Sequence, residues 1–376
     1  AEMGQGIHTT IPLIIAEELD VSLDQIRVEI VAEIDDYNLG TGLPLTYGST
    51  SIRNAFTKLR KLGASAKSVL VQAAAARWAV DASTISTNEG TCTASDGRTL
   101  SYGELVKEAS LLEPPEEPVL KDIDEFRLIG RDHKRFVDAD IVEGRAGYGI
   151  DAEPEGCLYA AIRHAPTQNG VPQNVNALTS DLQGVEKIVG LPNAVAVIAD
   201  SFWTAKRAVE ALPVEFSEPE ADVAVSSDSL RTGLMTGLDE EGNRVVDDGD
   251  LDAARAAATK TLTSEYFVPH IAHFPLEPVN ATVHVTDEVT TVWLPTQAPI
   301  YVRNNVADAL GVEPQSVVVH PTLLGGSFGR KADTDYPVSA ALIAREVEVP
   351  VKLIWSREED TKRDQFRPCF SGRFTG

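Results

Sequence analysis

Pro114, Pro115 and Pro118, interleaved with Glu113, Glu116 and Glu117, constrain this chain more than any other stretch. Proline offers no amide hydrogen and pushes the residue before it toward extended backbone, so neither a helix nor a central strand can pass through. Residues 112–121 therefore read as an extended, solvated linker. A second acidic, weakly apolar stretch at 217–229 divides the chain again. With 376 residues and roughly 150 per domain, the expected organisation is a first segment at 1–112, a linker at 113–127, a small α/β domain at 128–216 and a further domain from 217 to 376.

Between these breaks the patterning is mixed. Helices are expected over 7–19, 52–79, near 101–110 with Ser101 and Glu104 as a capping box, and over 202–211, 301–310 and 336–346. Strands are expected at 25–31, 157–164, 184–189, 194–199, 214–216, 261–268, 281–285, 290–293 and 317–320, with a hairpin around Asp96-Gly97. The class is α+β.

Charge and cysteines exclude several functions. Asp plus Glu number 57 against 33 Lys plus Arg, a net charge of −24, which repels nucleic acid. Cys92, Cys157 and Cys369 lie far apart with no C-x-x-C pair, so this chain supplies neither a zinc ribbon nor an iron–sulfur ligand set. Residues 69–80 are interrupted by Gln72 and Arg77 and fall short of the ~18 apolar residues of a membrane span. No signal peptide is visible, and the opening Ala1-Glu2-Met3-Gly4-Gln5-Gly6 reads as a fragment or a processed subunit.

Two motifs lead nowhere. Gly325-Gly326-Ser327-Phe328-Gly329 has the spacing of a hydrolase nucleophile elbow, but no histidine follows Ser327 to complete the triad in the order that fold demands. His270, His273 and Glu277 suggest a metal site, yet Pro269 and Pro275 break the helix that would align them, and structural histidines are favoured. No metal ligands are assigned. There is no Walker A sequence and no dinucleotide fingerprint. What remains is a set of three loops rich in glycine and hydroxyls: Gly4-Gln5-Gly6, Gly48-Ser49-Thr50-Ser51 and Gly325 through Gly329. Two open directly into helices, where free amides and the helix dipole hold anions. Each alone reads as a tight turn; together they suggest a chain wrapping a large phosphate-bearing ligand.

In their surroundings these loops resemble the molybdenum-cofactor subunit of the xanthine oxidase family, in the branch of isoquinoline 1-oxidoreductase beta subunits and membrane-associated bacterial aldehyde dehydrogenases. The stretches that carry the resemblance begin with Glu2-Met3-Gly4-Gln5-Gly6, Tyr47-Gly48-Ser49-Thr50-Ser51 and Ile129-Gly130-Arg131. Leu276-Glu277-Pro278, Pro295-Thr296-Gln297, Leu324 through Lys331, and Trp355-Ser356-Arg357-Glu358-Glu359-Asp360 follow in the order of that branch. The resemblance implies a molybdopterin-binding domain of xanthine oxidase type, with an inserted α/β hammerhead domain at 128–216. It implies that Gln5, Gly6, Gly48, Ser49, Thr50, Ser51 and Gly326 hold the pterin and its phosphates. Gln297, Phe328 and Gly329 would stand beside the metal, as cofactor-binding and catalytic residues.

It further implies molybdopterin, in the cytosine dinucleotide form, with molybdenum. The partners implied are a small subunit with 2Fe–2S clusters, a chain carrying the C-terminal half of the molybdenum domain with the catalytic glutamate, and a cytochrome c subunit. The reaction would oxidise an aldehyde to a carboxylic acid with water as oxygen source. The alternatives are hydroxylation of an N-heteroaromatic ring and a non-catalytic assembly module of the same fold. The placement implied is periplasmic, or membrane-associated on that side, with a cytoplasmic one left open. Two positions depart from the family. Arg330-Lys331-Ala332 stands where a purine-reading glutamate is found in xanthine oxidase, which predicts an apolar substrate. Ser327 replaces a usual third glycine, so its backbone is expected at negative φ or under mild strain.

Overall fold

The computed structural model describes residues 1–30, 32 and 45–376; the glycine-bearing sequence 38–44 lies outside them. The chain forms two compact units, Ala1–Pro154 with Asn280–Ala341, and Glu155–Val279 with Leu342–Gly376.

The first unit is led by two helices, α1 (Ile7–Leu19) and α2 (Ser51–Trp78). They pack through Ile14, Ala55 and Leu59, with Ile11, Ile15, Ile52, Phe56 and Ile129 around them. Gly63 is required at their crossing, because a Cβ there would stand 2.5 Å from the carbonyl oxygen of Ile15. The lower half of α2 is covered by the hairpin expected around Asp96-Gly97, whose strands Thr91–Thr93 and Thr99–Ser101 pair antiparallel, and by the helix Tyr102–Ala109. Ser101 and Glu104 form the anticipated capping box. Residues 112–121 carry no helix or strand. They are tied to the helices by Pro115 C=O accepting from Ser65 Oγ at 3.0 Å, and by Lys121 against Glu17 at 2.9 Å.

The same unit holds a strand–helix–strand crossover that positions the site. Asn280–Val285 pairs antiparallel with Thr290–Leu294, which pairs in parallel with Val317–Pro321. The helix Pro299–Leu310 connects the parallel pair, begins on a proline and ends at Gly311 in the left-handed region. Loops 295–298 and 322–329 therefore leave the carboxyl ends of two adjacent parallel strands, the end at which such sheets carry ligands.

In the second unit Leu158–His164 lies between Val351–Ile354, parallel, and Ala194–Ala199, antiparallel; Val185–Leu191 pairs on the far side of Ala194–Ala199. The helix Phe202–Ala211 buries Ala205, Ala208 and Val209 against these strands. A separate antiparallel pair joins Thr263–Val268 to Phe370–Thr375.

Two expectations fail locally. Over the described residues 25–30 the strand expected at 25–31 does not form: Leu23–Gln25 is a 3₁₀ turn held by the Ser22–Gln25 box, and residues 26–30 pair with no named strand. Alternation without a partner ladder is not a strand. Residues 214–216 make a single bridge, Phe216 to Pro172. The acidic stretch at 217–229 runs into a helix, Ser227–Thr236, capped by Ser226. Among the described residues no helix is long and apolar enough to cross a membrane.

Candidate cofactor site

A cavity of about 480 Å³ opens in the first unit, and three segments far apart in sequence line it. Met3, Gln5, Ile7 and Thr10 come from the N-terminal loop and α1. Thr46, Tyr47, Gly48, Ser49, Ser51 and Ile52 come from the turn before α2, and Gln297, Phe328 and Gly329 from the two strand-end loops. None of the described residues that line it is charged. In a chain with so large an acidic excess, a lining without carboxylates among its described residues and furnished with hydroxyls and amides is suited to an anion.

Of the sequence-predicted residues, Gln5, Gly48, Ser49, Ser51, Gln297, Phe328 and Gly329 come together here. Gly6, Thr50 and Gly326 belong to the same loops but are not among the lining residues. Ala332 lies in the 3₁₀ turn Arg330–Ala332 and does not line the cavity, so the missing purine-reading carboxylate is not a feature of this wall.

The N-terminal loop differs from the expected phosphate cradle. The Glu2 carboxylate accepts from the amides of Gly4, Gly6 and His8 at 2.8, 3.0 and 3.0 Å. An internal anion thus already caps α1, a role unnoticed in the sequence although an acid just before a helix is a standard signal. Burial pushes this carboxyl up, but the three amides outweigh it and hold it below the ordinary glutamate range. Gln5 donates from Nε2 to Ala1 C=O and accepts at Oε1 from Met3 N–H.

At the second loop, residues 47–50 form a turn closed by Thr50 N–H to Tyr47 C=O at 3.2 Å. Gly48 and Ser49 both have positive φ, 60° and 55°, as a type I′ turn demands. The start of α2 has no side-chain cap on Thr50, which leaves its first amides to a ligand.

The third loop is bound to Gln297, which is only 4% exposed. Its backbone accepts from Thr46 N–H at 3.0 Å and donates to Lys331 C=O at 2.9 Å. Its side chain donates from Nε2 to Thr46 C=O, and Oε1 accepts from Ser327 Oγ and from Gly329 N–H. Ser327 takes the first of its two expected alternatives and has no positive φ; it is Phe328 that lies in the left-handed region, with φ 58°. A large residue in the left-handed region costs about 1–3 kcal/mol and persists where its surroundings over-determine it. Phe328 remains 61% exposed at the cavity mouth.

The two false leads are accounted for. Ser327 Oγ meets an amide and not a histidine. His273 Nδ1 lies 3.0 Å from Asp364, and His270 Nδ1 lies 3.0 Å from the Arg367 carbonyl. Among the described residues no three His, Cys, Asp or Glu side chains gather as a metal site. A metal in the cavity would need ligands brought by its own cofactor. An uncharged, hydroxyl-rich pocket with an uncapped helix start and two strained turns fits a pterin of that kind.

Comparison with known proteins agrees with this geometry. Residues 1–138 and 238–375 each match a molybdopterin cofactor-binding domain. The isoquinoline 1-oxidoreductase subunit beta of Brevundimonas diminuta is 30% identical over 99% of this chain and 54% of its own length. A membrane-bound aldehyde dehydrogenase of Gluconacetobacter polyoxogenes, whose name specifies pyrroloquinoline quinone, is 30% identical over 98% of this chain and 49% of its own. The chain thus spans about half the length of these two relatives. Among solved structures, an aldehyde oxidoreductase from Desulfovibrio gigas is similar with a TM-score of 0.50, covering 64% of this chain and 32% of that one at 18% identity, a likeness of fold.

Proposed function

We propose, for a chain that belongs to the molybdopterin cofactor-binding family of xanthine oxidase type, that it forms the cofactor-binding part of an oxidoreductase converting an aldehyde to a carboxylic acid. The observation that carries this is the convergence of three segments, 3–10, 46–52 and 297–329, on one cavity whose described lining residues carry no charge. The chemistry that molybdopterin supplies when bound is two-electron oxidation with oxygen taken from water.

The residues of this chain divide the remaining work. Gly48, Ser49, Ser51 and the first turn of α2 bind phosphate through amides and hydroxyls; Thr10 and Gln5 face the same space. Gln297, its acceptor oxygen filled by Ser327 and Gly329, offers only N–H to a ligand. Phe328, Ile7, Ile52 and Met3 supply apolar surface that excludes water and favours an apolar substrate. A dinucleotide extension of the pterin, a partner carrying 2Fe–2S clusters and the remaining half of the fold, with its glutamate base, complete the proposal.

A second reading, hydroxylation of a fused N-heteroaromatic ring, is favoured by the relative named for isoquinoline. The two are separated by steady-state kcat/KM for benzaldehyde and isoquinoline on the chain purified with its co-purifying partners. Benzaldehyde is expected to be the better substrate, and preference for isoquinoline selects the second reading. No turnover of either, with molybdenum present, contradicts both.

A further inference from the structure

We infer that Ser327 is a positioning residue that fixes the Gln297 side-chain amide in one of its two orientations and thereby locks the cavity loops together. This rests on the cofactor reading above and names a residue that the family motif does not require.

Which end of a glutamine amide carries the oxygen is decided by its partners. Thr46 C=O can only accept and stands at Nε2; Gly329 N–H can only donate and stands at Oε1, 3.2 Å away. Ser327 could in principle do either. However, Lys331 N–H donates to Ser327 Oγ at 3.0 Å, which occupies the hydroxyl as an acceptor and turns its proton toward Gln297 Oε1. All three neighbours then demand the same orientation, and both lone pairs of Oε1 are filled. A flip would set the NH₂ group against Gly329 N–H and the oxygen against Thr46 C=O, two unpaired contacts in a site where Gln297 is 4% and Ser327 1% exposed. Such buried mismatches are expensive. The hydroxyl therefore does two things that a glycine at this position could not. It keeps the side chain of Gln297 a pure donor toward the cavity, and it links the 327–331 loop through Gln297 to Thr46, just before the 47–50 turn.

The test compares Ser327→Ala, Ser327→Gly and Ser327→Thr in the full chain purified with its partners. Three readouts are taken: molybdenum content, amide hydrogen exchange of peptides covering 45–48 and 326–331, and the molybdenum(V) resonance spectrum with kcat and KM for benzaldehyde. Loss of the hydroxyl in the Ala and Gly variants is expected to speed exchange in both peptides and shift the resonance signal. It is also expected to lower kcat about tenfold with KM within about twofold, while molybdenum stays bound. Threonine, which keeps the hydroxyl, is expected to recover kcat and spectrum. Unchanged kcat and spectrum in Ser327→Ala, even with faster exchange, overturn the positioning role. So does a molybdenum-bound Ser327→Thr no better than Ser327→Ala. A wild-type preparation free of molybdenum overturns the cofactor reading alone, since exchange at 45–48 and 326–331 still reports whether the clamp exists.

Discussion

The strand Ala194–Ala199 and the loop around Ser327 are both shut away from water at their centres, yet they are held by opposite means. Every residue of the strand is apolar and fully buried, paired on both edges and backed by the helix Phe202–Ala211. Its stability is spread over many interchangeable contacts. The loop rests on a few polar contacts to one glutamine and carries a phenylalanine at positive φ. The strand shows burial spent on holding the fold; the loop shows burial spent on holding particular atoms in particular orientations. Core positions should thus fail through stability, and loop positions through function.

The sharpest way to break this contrast is a charge in the strand. Val197→Asp places an unpaired carboxylate among apolar side chains, and a loss on the order of 5 kcal/mol in unfolding free energy is expected by denaturant titration. Full retention of stability would mean that the strand is not the core described. Next in size, Gln297→Glu should keep the fold but lower kcat by one to three orders of magnitude, ~1.4–4 kcal/mol in the barrier. A carboxylate cannot donate to Thr46 C=O or to a ligand. A normal kcat in a molybdenum-replete variant would remove Gln297 from the site.

A smaller effect belongs to Glu359, whose carboxylate accepts from the backbone N–H of His164 and lies 2.9 Å from its Nδ1. Burial raises this carboxyl, while the His164 bonds and charge bring it below its ordinary value of 4.5. A depressed folded value means the contribution is complete above the unfolded value and is lost as pH falls through the folded one. Glu359→Gln should therefore cost about 1–2 kcal/mol at pH 7 and lessen the acid-induced loss of stability below about pH 4. An equal cost at pH 3 and pH 7 would contradict the assignment. The smallest effect is a gain. Ser49, at φ 55° in an exposed turn, should stabilise the chain by about 0.5–1 kcal/mol when changed to glycine, measured as a higher Tm, at some expense of cofactor retention.

How much could be read from sequence follows the same division. The helices Ile7–Leu19, Ser51–Trp78, Tyr102–Ala109 and Phe202–Ala211 were legible because their periodicity is local, and in the last two the serine caps are local too. So was the Asp96-Gly97 hairpin. The strand Phe370–Thr375 was not, because its partner Thr263–Val268 lies about a hundred residues away and its own pattern is weak. Residues 25–30 misled for the converse reason: local alternation with no ladder to join. In the site, motif residues pointed to Gln5, Gly48, Ser49, Ser51, Gln297 and the 325–329 loop. The Glu2 carboxylate at the start of α1 and the clamp of Ser327 on Gln297 depend on groups meeting across loops, which spacing along the chain does not express.

The central claim is that the three converging loops hold molybdopterin. Its most direct test is the molybdenum and oxidised-pterin content of the chain purified with its partners, wild type beside a variant with Gly48, Ser49 and Ser51 replaced by bulky acidic residues. About one molybdenum and one pterin per wild-type chain, with both lost from a variant that still folds and assembles, is the predicted result. Molybdenum and pterin retained in full by that variant would place the cofactor elsewhere.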